Sequence, residues 1–292
     1  MQWYRCLECG HSFQSARRLA RGRARLWHDY VWGRQTLAQL AEAEERSARW
    51  VQKELDATRP LARTATPQAT VIAADMTFWG RGYGVMVFRS PTMKQNLWWT
   101  ESFQETPWMY GDGLRALQQQ GWSITGAVID GKRGVAQVFE REGIPVQYCQ
   151  FHQVKTVTTY LTRKPQTDAG KALRALSLTL KDASEASFTA ELNAWYETWK
   201  DFLDEKSPTL RKKRGWEYTH QRIRSAYRSL KENLFRLFTY QRHPELNLPN
   251  TTNTLDGMFS QIKNRLAVHR GLRRDRRLKL ISEILSGEDK TA

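Results

Sequence analysis

Apolar and polar positions change rhythm twice along the chain. From Thr70 the sequence runs in short apolar stretches between turn signals. Thr70–Phe78, Tyr83–Phe88 and Leu97–Phe103 read as three successive strands, joined by Gly80-Arg81-Gly82 and by Ser90-Pro91. A helical stretch Gly111–Gln120 is stopped by Gly121. Then come a strand Ile124–Ile129, a helix Val135–Arg141 stopped by Gly143, and a short strand Val146–Cys149. Three strands followed by alternating helix and strand predict an α/β layer with a mixed sheet. Beyond His152 the strand signals stop. Lys155–Leu161, Gly170–Leu180, Phe188–Leu203 and Arg222–Tyr240 carry apolar residues at helical spacing, and the stripe Trp195, Trp199, Leu203 reads as core. A last helix is expected from Asn253 through Leu266, with a basic helix or tail after Gly271. Ahead of all this, residues 1–58 are arginine-rich, and a Pro-bounded stretch of small residues over 59–69 reads as a linker.

Charge sharpens this division. The chain of 292 residues carries 46 Lys and Arg against 30 Asp and Glu, a net charge of +16. Such an excess suits a polyanion, because each phosphate neutralised releases condensed counterions. Residues 71–150 hold seven basic and seven acidic side chains, whereas Glu205–Glu245 hold eleven and four, and Lys263–Lys279 eight and one. A neutral block flanked by basic ones predicts chemistry in the middle and backbone contacts on the flanks. No apolar run reaches membrane-spanning length, the N-terminus has no signal-peptide core, and three cysteines are too few for a disulfide scaffold. The expected setting is cytoplasmic, beside the nucleoid, with no membrane partner.

Three acidic residues carry the candidate chemistry. Asp75 interrupts the apolar run Val71–Phe78, where an ionised carboxylate is costly unless paired or metal-bound. Asp130 follows Ala127-Val128-Ile129 at the carboxyl end of a strand, where α/β sheets place ligands, although Asp130-Gly131 is also a good turn dipeptide. Asp256 lies at the start of the last helix, where Asn253 could instead cap the helix with Asp256 three residues on. Lys263 follows Asp256 by seven residues, on the same helical face, aimed at a phosphate backbone. Hard carboxylate oxygens suit Mg²⁺ or Mn²⁺, and three such groups would hold two ions about 3.5–4 Å apart for phosphoryl transfer.

Read together, Asp75, Val128-Ile129-Asp130-Gly131, Cys149-Gln150-Phe151-His152, Thr251-Thr252-Asn253-Thr254-Leu255-Asp256-Gly257 and His269-Arg270-Gly271-Leu272 resemble the Mutator-like DDE transposases of bacterial insertion sequences. The resemblance covers roughly residues 70–272. It implies an RNase H-like catalytic fold with an all-helical insertion before the third acid. The implied divisions are a core over 70–154, an insertion over 155–245, and a third-acid helix with basic tail over 246–292. The implied catalytic and metal-binding residues are Asp75, Asp130 and Asp256, with Cys149, His152, Asn253 and Lys263 beside them. The family's third acid is most often glutamate. Asp256 is one methylene shorter, which sets its carboxylate about 1.3–1.5 Å further back, roughly one C–C bond. Cys149 and His152 are two ligands at most, too few for a tetrahedral zinc site, and suggest a shaping or DNA-contacting role.

Near the N-terminus Cys6-Leu7-Glu8-Cys9 looks like one knuckle of a zinc ribbon, half of a Zn²⁺ site. Gln35–Leu55 resembles a helix-turn-helix in which Ser47 caps the second helix and Arg49, Gln52 and Lys53 reach DNA. Glu45 occupies the turn position usually given to glycine. The functional expectation is a transposase that binds terminal inverted repeats and performs strand cleavage and strand transfer on double-stranded DNA, as a homodimer or larger assembly. Lys212, Lys213, Arg270, Arg273 and Arg274 would track phosphates. The alternatives are a domesticated DNA-binding regulator without catalysis and an RNase H-type nuclease.

Overall fold

The computed structural model describes residues 4–13, 16–59, 65–80 and 82–287, and the side chains of residues 13–21 are outside that description. Residues 60–64 of the expected linker and Arg81 of the first expected turn therefore lie outside the described residues. The chain divides into two compact units, residues 1–65 with 257–292, and residues 66–256.

The first unit opens with a two-stranded knuckle, β1 (Tyr4–Arg5) and β2 (Ser12–Phe13), whose turn carries Cys6 and Cys9. Helices α1 (Ala16–Val31), α2 (Leu37–Ala43) and α3 (Ala48–Ala57) follow. Thr36 and Gln39 form a reciprocal capping box on α2, and the Ser47 hydroxyl accepts the Trp50 N–H at 3.2 Å to cap α3, as its sequence position predicts. Between them Glu45 adopts φ +51, the left-handed conformation for which glycine is the usual residue.

The second unit is built on a five-stranded mixed sheet. β3 (Ala69–Phe78), β4 (Gly84–Ser90) and β5 (Gln95–Ser102) are antiparallel neighbours, and β6 (Ser123–Ile129) and β7 (Val146–Tyr148) add in parallel on the other side of β3. The sheet order is β5-β4-β3-β6-β7, with the first strand of the sheet central. This layout, flanked by helices, is consistent with an RNase H-like fold. β3 and β4 are buried almost throughout, which explains their near-continuous apolar sequence: both faces are covered. Helix α4 (Pro107–Gln119) starts with proline at its first turn and lies close on the sheet at Gly113, where a Cβ would meet Phe88 and Trp98 at 2.8 Å. α5 (Ala136–Glu140) joins β6 to β7. Phe88, Tyr110 and Phe139 close this core with ring centroids 6.0–6.3 Å apart.

Beyond β7 the chain enters α6 (Gln150–Leu161), α7 (Asp168–Thr179) and α8 (Glu185–Asp204). The insertion is not all-helical, which corrects the sequence expectation. A short hairpin, β8 (Lys206–Pro208) and β9 (Trp216–Tyr218), separates α8 from α9 (Gln221–Leu237). Its strands are three residues each, too short to show a period of two, and Pro208 argues against a strand by composition. The helix expected over Arg222–Tyr240 is broken at Phe238 (φ −123), and α10 (Thr239–Arg242) follows. The break is stabilised by the Thr239 hydroxyl, which donates to the Val146 carbonyl at 2.7 Å. A 3₁₀ turn at Pro244–Leu246 leads to α11 (Asn253–Val268), and α12 (Arg274–Gly287) ends the described chain. The division between units falls within α11, after Asp256. Among the described residues no helix is long and apolar enough to cross a membrane.

Candidate active site

The site is built at the carboxyl ends of the central strands. The parallel register of β3 with β6 pairs Ala73 with Val128. β6 ends at Ile129, and Asp130 follows directly, near enough for its charge to act on Asp75 in the neighbouring strand β3. Asp75 is 9% exposed, and its Oδ1 accepts the Met76 N–H at 2.7 Å. Burial first, then the nearby Asp130 and Asp256 charges, push its pKa up to about 7, while the Met76 N–H and His152 pull the other way. Asp130 is likewise raised, by burial and then by Glu105. Its Oδ1 accepts the Lys132 N–H at 3.2 Å across the Asp130-Gly131 turn. Carboxylates whose ionisation is opposed by burial and by neighbouring acids form a local deficit of positive charge, which a divalent ion would relieve.

The third acid arrives from far along the chain. Single ligand atoms of Asp75, His152 and Asp256 all lie within 4.8 Å of one another, and this is the cluster of metal-competent side chains among the described residues. Asp130 is not a member of that cluster and acts on Asp75 through its charge. The arrangement depends on a clamp between the start of α6 and the segment before α11. Gln150 N–H donates to the Asn250 carbonyl at 2.9 Å, and the Asn250 amide donates to Gln150 Oε1 at 3.0 Å. The buried Cys149 Sγ accepts both the Thr252 N–H, at 3.3 Å, and the Thr252 hydroxyl, at 3.4 Å. His152 Nδ1 lies 3.4 Å from that same hydroxyl. The Thr252 carbonyl then accepts the N–H groups of Leu255 and Asp256, at 2.8 and 3.2 Å, which starts the helix carrying the third acid.

Cys149 and His152 titrate together. Burial alone would raise the Cys149 thiol, but hydrogen bonds from His152 and Thr252 outweigh it and the pKa falls. His152 is pushed up to about 9, chiefly by its hydrogen bond to Cys149 and then by the Cys149, Asp75 and Asp256 charges, against desolvation. Without a metal, an imidazolium thus supplies the counter-charge to the buried aspartates. Removing the sulfur acceptor leaves the Thr252 N–H buried and unmatched. Cys149→Ala is therefore expected to lower stability by about 1–3 kcal/mol in urea unfolding. It should also slow any metal-dependent activity by about 10–100-fold, the loss usual for an outer partner of a metal ligand. Cys149→Ser, which keeps an acceptor, should recover part of both.

Asn253 is the first residue of α11 and exposed, and Thr252 precedes the helix, its carbonyl accepting the Asp256 N–H. Lys263 is exposed two turns further along α11. In the first unit Arg49 and Lys53 are exposed on α3, while the Gln52 amide is turned to Asp56 at 2.9 Å. Arg270, Arg273 and Arg274 are exposed around the start of α12, and Arg273 pairs with Asp275 at 3.4 Å.

Sequence reasoning did not single out Glu105. Its carboxylate accepts the Tyr110 hydroxyl at 2.6 Å and the Lys132 ammonium at 2.9 Å, fixing the turn that presents Asp130. Beside it an open cavity of about 910 Å³ runs from Glu105 and Asp130 past Cys149 and His152, with Lys132, Arg133, Lys155 and Arg236 on its walls. Its walls place these cations beside the acids Glu105 and Asp130.

The donor set of two carboxylates and an imidazole fits a divalent ion with mixed oxygen and nitrogen preference, such as Mn²⁺, and the carboxylates alone fit Mg²⁺. No family model matches this chain, and no curated protein does. Among solved structures, it is similar to the Drosophila P element transposase strand transfer complex, at 10% identity and a TM-score of 0.44, covering 97% of this chain and 95% of that one.

Proposed function

We propose that the chain is a DNA transposase of the DDE type that cleaves and joins strands by metal-assisted phosphoryl transfer. The observation that carries this reading is the convergence of Asp75, His152 and Asp256 from three distant parts of the sequence, with Asp130 just past the end of the neighbouring strand and its charge acting on Asp75. Asp75, Asp130 and Asp256 would hold a pair of Mg²⁺ or Mn²⁺ ions. Held by these residues, such ions would supply Lewis-acid chemistry, lowering the pKa of an attacking water or 3′-hydroxyl and stabilising a leaving oxygen. His152 keeps its proton, holds Thr252 and Cys149 in place, and offsets the negative charge of the site. Lys132, Lys155 and Arg236 bind the phosphates of the strand in the cavity. In the first unit, Arg49 and Lys53 on the capped helix α3, together with Arg270, Arg273 and Arg274, bind the terminal repeats, and two copies bring the two ends together.

The test is cleavage of duplexes carrying the DNA that flanks the coding sequence, with Mg²⁺ or Mn²⁺, followed by joining of a pre-cut end to plasmid DNA. Ion-dependent nicking with joining supports the transposase. Nicking without joining would assign the chain to nucleases of the RNase H type. Binding without either reaction would leave a DNA-binding regulator.

A further inference from the structure

The hairpin β8–β9 is the part of the insertion that the helical pattern did not foresee, and it is tied together by rings and cations. Its register pairs Lys206 with Tyr218, Ser207 with Glu217 and Pro208 with Trp216. At its root the His220 ring stacks on Phe202 at 3.6 Å, and His220 Nε2 meets Glu205 Oε2 at 2.9 Å. Arg224 donates to the Leu203 carbonyl and to Asp204, both at 2.7 Å, and lies over the Tyr218 ring at 3.6 Å. Lys206 on β8 and Arg214 in the turn both lie over the Trp216 ring of β9, at 4.5 and 4.1 Å. The hairpin is thus held by cation–π stacking at both its ends in place of a hydrophobic core.

Its tip carries a different signal. Leu210 is 105% exposed and is followed directly by Arg211, Lys212, Lys213 and Arg214. Two of these cations have structural work: Lys212 pairs with Glu217 at 3.0 Å, and Arg214 donates to the Trp216 carbonyl at 2.8 Å. Arg211 and Lys213 are exposed and belong to no ion pair among the described residues. The turn itself is closed by Thr209 N–H to the Gly215 carbonyl and Gly215 N–H to the Lys212 carbonyl, both 2.9 Å. A fully exposed leucine at the head of a run of four cations has no partner surface in this unit. The charge around it selects a polyanion with apolar spaces between its charged rails, and duplex DNA is such a polyanion.

We propose that the β8–β9 hairpin is a DNA-binding ribbon in which Leu210 wedges against a base step while Arg211 and Lys213 contact the flanking phosphates. Leu210 acts by unstacking and bending the duplex, as apolar wedges in the minor groove do, and the two cations act through counterion release. The inference rests on the reading of the chain as a DNA-acting protein but not on its catalysis.

The two roles separate in one experiment, with the full chain, EDTA to exclude chemistry, and a short duplex labelled at both ends for anisotropy and energy transfer. The Arg211→Ala/Lys213→Ala variant should reduce the slope of log K against log salt by about 1.8, roughly 0.9 for each phosphate lost. Leu210→Ala should keep the wild-type slope, weaken binding several-fold and abolish the bend read by energy transfer. All three positions are at an exposed tip, so circular dichroism and melting should match wild type. Wild-type slope, affinity and bend in both variants would overturn the ribbon while leaving the DNA-acting reading intact. Hairpin-dependent binding by a protein that cleaves nothing would uphold the ribbon and remove the transposase.

Discussion

Asp75→Asn is expected to fold, bind DNA and lose strand cleavage by well over about 10²-fold, the upper loss for an outer partner of a metal ligand. Asparagine keeps the volume and one carbonyl oxygen able to accept the Met76 N–H, so the strand pairing around it persists. What it removes is the negative charge that an ion requires at the centre of the site. Asp256→Asn should give the same phenotype, because its ligand atom shares the cluster within 4.8 Å. The Asp256→Glu variant addresses the shortened side chain: if α11 has settled at a position suited to aspartate, the added methylene should reduce activity as well. Single-turnover cleavage with Mn²⁺ and with Mg²⁺ provides the measurement. Undiminished cleavage by Asp256→Asn would confine that residue to a structural role and end the three-acid mechanism.

The second large effect is a reversal of pH dependence on adding metal. In the ion-free protein Asp75 titrates at about 7, above the 3.8 of an ordinary aspartate, so the folded state binds more protons than the unfolded state between those values. Stability therefore falls as pH rises from about 4 to 7. His152 works in the same direction: raised to about 9, it stabilises fully below its ordinary 6.5 and loses that contribution as pH climbs to 9. The ion-free protein should accordingly melt at progressively lower temperature from pH 5 to 7, where Asp75→Asn should flatten the curve; above that, the lowered Cys149 thiol contributes with the opposite sign to His152. Added Mn²⁺ should raise the melting temperature more at pH 7.5 than at pH 5.5, since binding must first expel the Asp75 proton. Its affinity should rise about tenfold per unit up to pH 7 and then level off. A rise that continues to pH 9 would instead mean that His152 surrenders its proton and joins the ligands.

The sheet was legible in the sequence because burial on both faces writes long apolar runs, and Asp75 stood out as the one charge in such a run. Asp130 was legible from its place just after a strand. The link between Cys149, His152 and the third acid was not, since a hydrogen bond from Thr252 to a sulfur leaves no periodicity. Only the resemblance of the whole motif set brought these residues near the site. Glu105 hides between the third strand and a proline-started helix, where an acid reads as an ordinary cap. The hairpin escaped because its strands are three residues long and held by cations on rings, which a hydrophobic pattern does not register. The one cue was Trp216 and Tyr218 alternating around Glu217.

Thr252 and Cys149 are 103 residues apart in the chain. Asp75 and Asp130 are therefore synthesised well over a hundred residues before the third donor. Any nascent or prematurely terminated product lacking that late segment would hold Asp75 and Asp130 without Asp256, so the acidic cluster is completed only when synthesis reaches α11.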